Sequence, residues 1–297
     1  MSVQLPALNT PWSEPSRKAK DSAVTVAEKE APREVEWYQP VMKKLPSSTV
    51  EVFVNYAGLA DEDETVQHIY AVRDKAWDVL PYPCIGLFRF LDFSIHLSPI
   101  YPTVVDRLRT GETLLDLGCC LGQDLRKAAY DSGISTNLIG ADIEAPFLEL
   151  GYELFRDRSH FQGELRAGSI FDEDFLSDKH GKVNMIYLGS FLHLFNTEQQ
   201  ATIVAKLEKL LCPGPGALVF GRNLGAEQGG EFHMESIGWD LYRHSSDTMQ
   251  DLWVSAGSRQ WKVESSLSRY ESAAWDDSRR TWQGDGTKQM MFSAVSL

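Results

Sequence analysis

The 297-residue chain is 43% hydrophobic and 11% aromatic, the composition of a globular protein long enough to bury a full α/β core. Its net charge of −13 argues against a nucleic-acid polymer as partner, because such binders need a basic stripe to displace counterions. Four cysteines (Cys84, Cys119, Cys120, Cys212) form no C-x-x-C pair and show no ligand-like spacing with histidine, so neither a disulfide framework nor a metal site is expected.

Residues 1–34, rich in Pro, Ser, Lys and Glu, read as a mobile tail. With no apolar leader stretch and no segment of membrane-spanning length, the chain reads as cytoplasmic. Residues 35–106 read as a helical cap. Helices are expected at 34–44, at 48–57 before Gly58, and at 63–79 before Pro81 and Pro83. Trp37, Tyr38, Tyr56, Trp77, Tyr82, Phe88, Phe90 and Phe93 make this region aromatic, suited to packing above all, and to a dimer face if the rings are exposed.

Residues 107–297 alternate as a doubly wound sheet does. Strands are expected at 113–117, 137–142, 164–169, 183–188 and 217–222. Helices are expected at 123–132, 146–155, 174–177 and 197–211. Pro213-Gly-Pro-Gly216 is a turn before the fifth strand. The Gly-rich, aromatic stretch 225–243 reads as a loop or insertion over the site, followed by a helix at 246–257 and the segment 261–267. The alternation at 289–295 predicts a final edge strand.

Most of the chemistry is concentrated in Thr113-Leu-Leu-Asp-Leu-Gly-Cys-Cys-Leu-Gly-Gln-Asp-Leu-Arg126 and Ile139-Gly-Ala-Asp-Ile143. An apolar strand meets an acid (Asp116) and a glycine turn (Gly118, Gly122), and a second strand ends on Asp142. This is the βαβ pattern that holds a nucleoside. The order is D-x-G-x-x-x-G, with Cys120 where a middle glycine would sit. A carboxylate at the turn repels a pyrophosphate but suits a ligand carrying an ammonium and a sulfonium, which points to S-adenosyl-L-methionine.

In that reading Asp116 accepts from the ammonium of the methionine moiety, or caps the following helix, and Gly118 gives the backbone close approach. Asp142 offers two oxygens to the ribose hydroxyls and Ile143 packs on adenine. Ser169 and Ile170 meet the adenine edge and face; Asp172 also reaches the amine or caps the next turn. Leu188 and Gly189 border the cofactor at the fourth strand's end. His193, the titratable group beside that junction, is either a general base or a helix-start histidine. Arg222 and Arg89 are candidate partners of a substrate carboxylate. Tyr82 either closes over the cofactor or simply packs.

Through Leu115-Asp-Leu-Gly118 and Gly140-Ala-Asp-Ile143 the chain resembles class I S-adenosylmethionine-dependent methyltransferases over roughly residues 107–297. Such a resemblance implies a Rossmann-like, seven-stranded sheet. Trp37-Tyr38-Gln-Pro-Val-Met42, Arg73-Asp-Lys-Ala-Trp77, Pro81-Tyr-Pro-Cys-Ile-Gly86, Phe88-Arg-Phe-Leu-Asp92 and Gly221-Arg-Asn-Leu-Gly225 also look like the fungal methyltransferases of meroterpenoid pathways. That likeness implies carboxyl O-methylation of a hydrophobic small molecule. A phenol acceptor with His193 as base, a nicotinamide-dependent oxidoreductase and a non-catalytic relative of the fold are the competing readings. Asp116 and the glycine spacing speak against the second, and the intact acids speak against the third.

Overall fold

The computed structural model describes residues 32–234, 239–269, 284 and 286–297. Nearly all of the expected tail lies outside the described residues.

The expected helix at 34–44 does not form. Pro40 has no N–H to donate and biases Gln39 away from helical backbone. The segment is instead a strap pinned to the cap: Trp37 Nε1 donates to the Pro81 carbonyl at 3.0 Å, and the Gln39 N–H to the Gly86 carbonyl at 2.9 Å. Helix α1 spans Ser47–Asn55 and α2 spans Glu62–Val79. Asp61 caps α2 by accepting from the Glu64 N–H, and three acids in the first turn suit the helix dipole. The short α3, Pro83–Gly86, and two 3-10 turns, Arg89–Asp92 and Ser94–Leu97, bring the chain to the sheet. Helix α4, Tyr101–Arg109, was not expected from the pattern.

The cap's aromatic rings are mostly interior. Trp77, Phe53 and Phe88 are fully buried and Trp37 is 5% exposed, so they form no exposed face for a second copy. Phe53 stacks on Phe155 of the core at 5.4 Å between centroids, and each such ring contributes roughly 1.5–3 kcal/mol by burial. The Tyr56 hydroxyl donates to Asp157, which also pairs with the buried Arg126. Cap and core therefore share one interior.

Core strands are β1 Leu114–Leu117, β2 Leu138–Asp142, β3 Glu164–Ala167, β4 Met185–Gly189 and β5 Leu218–Gly225. Beyond them lie the hairpin β6 Gly230–Met234 and β7 Trp239–Arg243, then β8 Trp261–Ser268 and β9 Lys288–Ser296. Helices α5 Gln123–Ser132, α6 Ala145–Phe155, α7 Thr197–Leu210 and α8 Ser246–Ala256 flank the sheet. The seven-stranded order is β3-β2-β1-β4-β5-β9-β8, with β9 antiparallel to both of its neighbours. The fold is thus the class I Rossmann-like sheet with N-terminal helices.

Three local expectations are corrected. The terminal strand β9 is interior, not an edge: Met290, Phe292 and Ala294 are buried between β5 and β8. The edge is β8, whose exposed positions carry Lys262 and Glu264, as a protected edge should. Residues 174–177 form turns leading to a 3-10 turn at Ser177–Lys179 in place of a short α-helix. Stretch 225–243 is largely a β-hairpin, although residues 235–238 lie outside the described set.

Candidate active site

Parallel β-strands leave their carboxyl ends on one side of the sheet, and open α/β sheets bind ligands there. One pocket opens at that edge, between the strand ends and the cap, with about 1400 Å³ of space including its mouth.

Of the residues singled out from sequence, Gly118, Asp142, Ile143, Ser169, Ile170, Gly189, His193 and Arg222 line this pocket, as do Arg89 and Tyr82. Asp116, Gly122 and Leu188 stand behind the wall. Gly122, at φ +65, begins α5. Leu188 is fully buried in β4. Asp116 is 2% exposed, and its Oδ2 has no hydrogen-bond partner among the described residues. Burial, then the neighbouring Asp124 and Asp142, push its pKa well above the usual carboxylate range.

The glycine turn is shaped by backbone requirements. Gly118 adopts φ +76, and a Cβ there would lie 2.6 Å from the Phe191 ring. Cys120 adopts φ 53, a left-handed conformation that costs a non-glycine residue about 1–2 kcal/mol. Its N–H donates to Asp142 Oδ2 at 2.8 Å, and the Glu144 N–H donates to Oδ1 at 3.0 Å. Burial raises the Asp142 pKa to about 6 against these two donors.

Asp172 resolves as a turn residue. It accepts from the Ser169 N–H at 3.1 Å, and the Ser169 hydroxyl accepts from the Phe171 N–H at 3.2 Å.

Other functional neighbours escaped the sequence reading. Asp124 lines the pocket and accepts from the Ile95 N–H at 2.7 Å. Ser94 bridges it to the Tyr187 hydroxyl. Gln123 and Asp124 directly follow Gly122, so the first turn of a helix leaving a glycine loop was the available signal. Phe90 from the cap and Leu241 from β7, in the stretch expected over the site, also line the pocket.

The opposite side of the pocket is cationic. Arg222, on β5, pairs with Asp92 of the cap at 3.3 Å, and both are nearly fully buried. Burial works against its charge, but Asp92, Tyr187 and Asp124 hold its pKa above the usual value. Arg89 is also buried; burial and the Arg222 guanidinium lower its pKa to about 10. His193 lies in the 3-10 turn Leu192–Leu194. The Leu224 N–H donates to its Nδ1 at 3.3 Å, and the Asn223 side chain approaches the same nitrogen at 3.3 Å. Burial, followed by Arg89, Arg243 and Arg222, holds its pKa down at about 3.

Residues 37–91 match the meroterpenoid methyltransferase N-terminal domain, and residues 114–214 match a general methyltransferase domain. The chain is 38% identical over 270 residues to the O-methyltransferase atr3 of Stereocaulon alpinum, covering 89% of this chain and 76% of that one. The chain belongs to the meroterpenoid methyltransferase family. A further member, the asnovolin E/chermesin D methyltransferase nvfJ of Aspergillus novofumigatus, is 39% identical over 193 residues, covering 64% of this chain and 69% of its own. Among solved structures, a Haemonchus contortus phospholethanolamine N-methyltransferase 2 superposes with a TM-score of 0.51 at 14% identity, covering 76% of this chain and 59% of that one. That likeness shows the shared fold. As a member of this family, the protein is an S-adenosylmethionine-dependent methyltransferase. No helix among its described residues is long and apolar enough to cross a membrane.

Proposed function

We propose that the chain binds S-adenosyl-L-methionine at its glycine turn and methylates the carboxylate of a hydrophobic small molecule of meroterpenoid or polyketide type. When bound, the cofactor supplies an electrophilic methyl group on a sulfonium. The residues present fit it. Asp124 lines the pocket and Asp116 stands behind it with a buried Oδ2 that lacks a hydrogen-bond partner among the described residues, and this acidic pair suits the methionine ammonium. Gly118 clears the approach, Asp142 serves the ribose hydroxyls, and Ile143, Ser169 and Ile170 serve adenine. Gly122, Leu188 and Gly189 shape the turn and the strand end behind and beside it.

The observation that carries the acceptor reading is the pair of buried guanidiniums, Arg89 and Arg222, at one pocket wall. Arg222 is held by Asp92, while Arg89 adds a second cation near it. An acceptor carboxylate is the anion these guanidiniums would pair with most directly, by accepting their N–H groups. The low basicity of His193 favours the same conclusion. A carboxylate arrives ionised and needs no base, whereas a phenol would need one. Phe90, Phe171, Phe195, Leu224 and Leu241 supply apolar wall for the acceptor's body. The chain's task is then to align the acceptor and exclude water. The name of the relative atr3 supports oxygen as the methylated atom.

The test is an incubation with S-adenosylmethionine and matched hydrophobic acids and phenols, read by mass spectrometry. Methyl esters cleaved by mild base are the expected products. Aryl ethers formed from the phenols alone would overturn the carboxylate reading.

A further inference from the structure

We infer that Asn223 and the Leu224 amide lock His193 in the neutral tautomer that carries its proton on Nε2, so that His193 donates a hydrogen bond to the acceptor and Asn223 is its positioning residue. The donation to an acceptor carboxylate rests on the reading above; the tautomer does not.

The Leu224 N–H is the contact that assigns a role to Nδ1. A backbone N–H only donates, and that of Leu224 is directed at Nδ1 from 3.3 Å. Nδ1 therefore presents a lone pair. The Asn223 amide also approaches Nδ1 at 3.3 Å, with its oxygen facing the ring. Two acceptors facing each other repel. In that orientation the buried Asn223 Nδ2 has no hydrogen-bond partner among the described residues. Rotating the amide by half a turn removes the repulsion and makes Nδ2 a second donor to Nδ1, with Oδ1 taking the place Nδ2 held.

Nε2 makes no hydrogen bond to the described residues, and His193 lines the pocket. In the neutral ring Nε2 bears the proton. It offers the pocket a donor rather than a lone pair.

The cationic groups around the ring act in the same direction. Arg89 faces the ring from the cap, Arg222 from β5 and Arg243 from β7, with Asp92 held against Arg222. Three cations oppose a second proton on the imidazole, and so does its burial. A base role would require that second proton during each turnover, so the site is built against it.

The decisive measurement is the nitrogen-15 spectrum of the histidine side chains, on the full chain saturated with S-adenosylhomocysteine, from about pH 6 to about pH 9. The expected result is His193 Nδ1 resonating as a bare nitrogen and Nε2 as a protonated one, unchanged across the range. A protonated Nδ1, or an imidazolium at neutral pH, would overturn the inference. Asn223→Asp places a carboxylate beside Nδ1, and the His193 signals should then titrate near neutrality; a spectrum identical to wild type would remove Asn223 as the positioning residue.

Kinetics gives an independent reading. His193→Leu should lower kcat/KM by about 10- to 100-fold, the scale of one hydrogen bond to a charged group, while His193→Gln, which keeps an N–H, recovers most of it. A wild-type kcat/KM that climbs with a pKa of about 6–7 and is flat in His193→Gln would restore the base and refute the donor. An ether product alongside the locked tautomer would refute the carboxylate reading alone.

Discussion

The backbone N–H of Cys120 donates to Asp142 Oδ2 at 2.8 Å, so the acid at the end of β2 also holds the glycine turn that follows β1. One carboxylate thereby shapes the loop and faces the pocket. Burial raises its pKa to about 6, above the roughly 3.9 of an unfolded aspartate. For an acid with a raised folded pKa, the stability contribution is full below the unfolded value and is lost as pH rises through the folded one. The ligand-free protein should therefore lose stability as pH rises from about 4 to about 6, and stay at the lower value above that.

Ribose hydroxyls donate to the ionised form, so S-adenosylhomocysteine affinity should rise with pH over that same window. Asp142→Asn should weaken binding by roughly 1.5–3 kcal/mol and flatten the pH dependence. Calorimetric titration on either side of about pH 6 checks both. Unchanged affinity would remove Asp142 from the ribose site.

Cys120→Gly should stabilise the chain. The left-handed backbone at φ 53 costs a cysteine about 1–2 kcal/mol and a glycine almost nothing, while the N–H to Asp142 is retained. A melting temperature raised by about 2–4 °C is expected for a domain of this size. A lowered one would mean that the Cys120 thiol packs for more than its backbone strain.

Gly118→Ala should do the reverse. Its Cβ would meet the Phe191 ring at 2.6 Å in a backbone conformation alanine avoids. Phe191 lines the pocket, so its displacement should abolish detectable S-adenosylhomocysteine binding in the same calorimetric assay. Retained affinity would show that the turn relaxes without disturbing the pocket.

Arg222 and Asp92 form a buried pair, and removing one partner takes away an ion pair that helps keep the other charge buried. Asp92→Leu or Arg222→Met alone should destabilise by about 3–5 kcal/mol, whereas the double substitution should recover most of that loss. If Arg222 binds the acceptor, the double variant remains folded and still binds S-adenosylhomocysteine, but its KM for the acid rises at least about tenfold. A wild-type KM in the folded double variant would confine Arg222 to a structural role.

Much of the fold was legible because its signals are local. The runs at β1 and β2, the Gly118 and Gly122 turn, and the acids ending each strand follow from apolar patterning and turn chemistry within a few residues. The strap at 35–46 misled because its aromatics suggest a helical face while Pro40 forbids the helix. Strand β9 was recognisable by alternation, but its place between β5 and β8 depends on pairing with segments far away in the chain.

The sequence by itself determined an α/β sheet with a glycine turn and acids at the carboxyl edge of its strands, since strand periodicity, glycine turns and strand-end residues are properties of short stretches. Tertiary structure alone decided how the far wall of the pocket works. Arg222 meets Asp92 across 130 positions, and His193 meets Asn223 across 30. A side chain's charge state and tautomer come from burial and from neighbours brought together by folding, which is why the sequence left His193 open between a general base and a helix-start histidine.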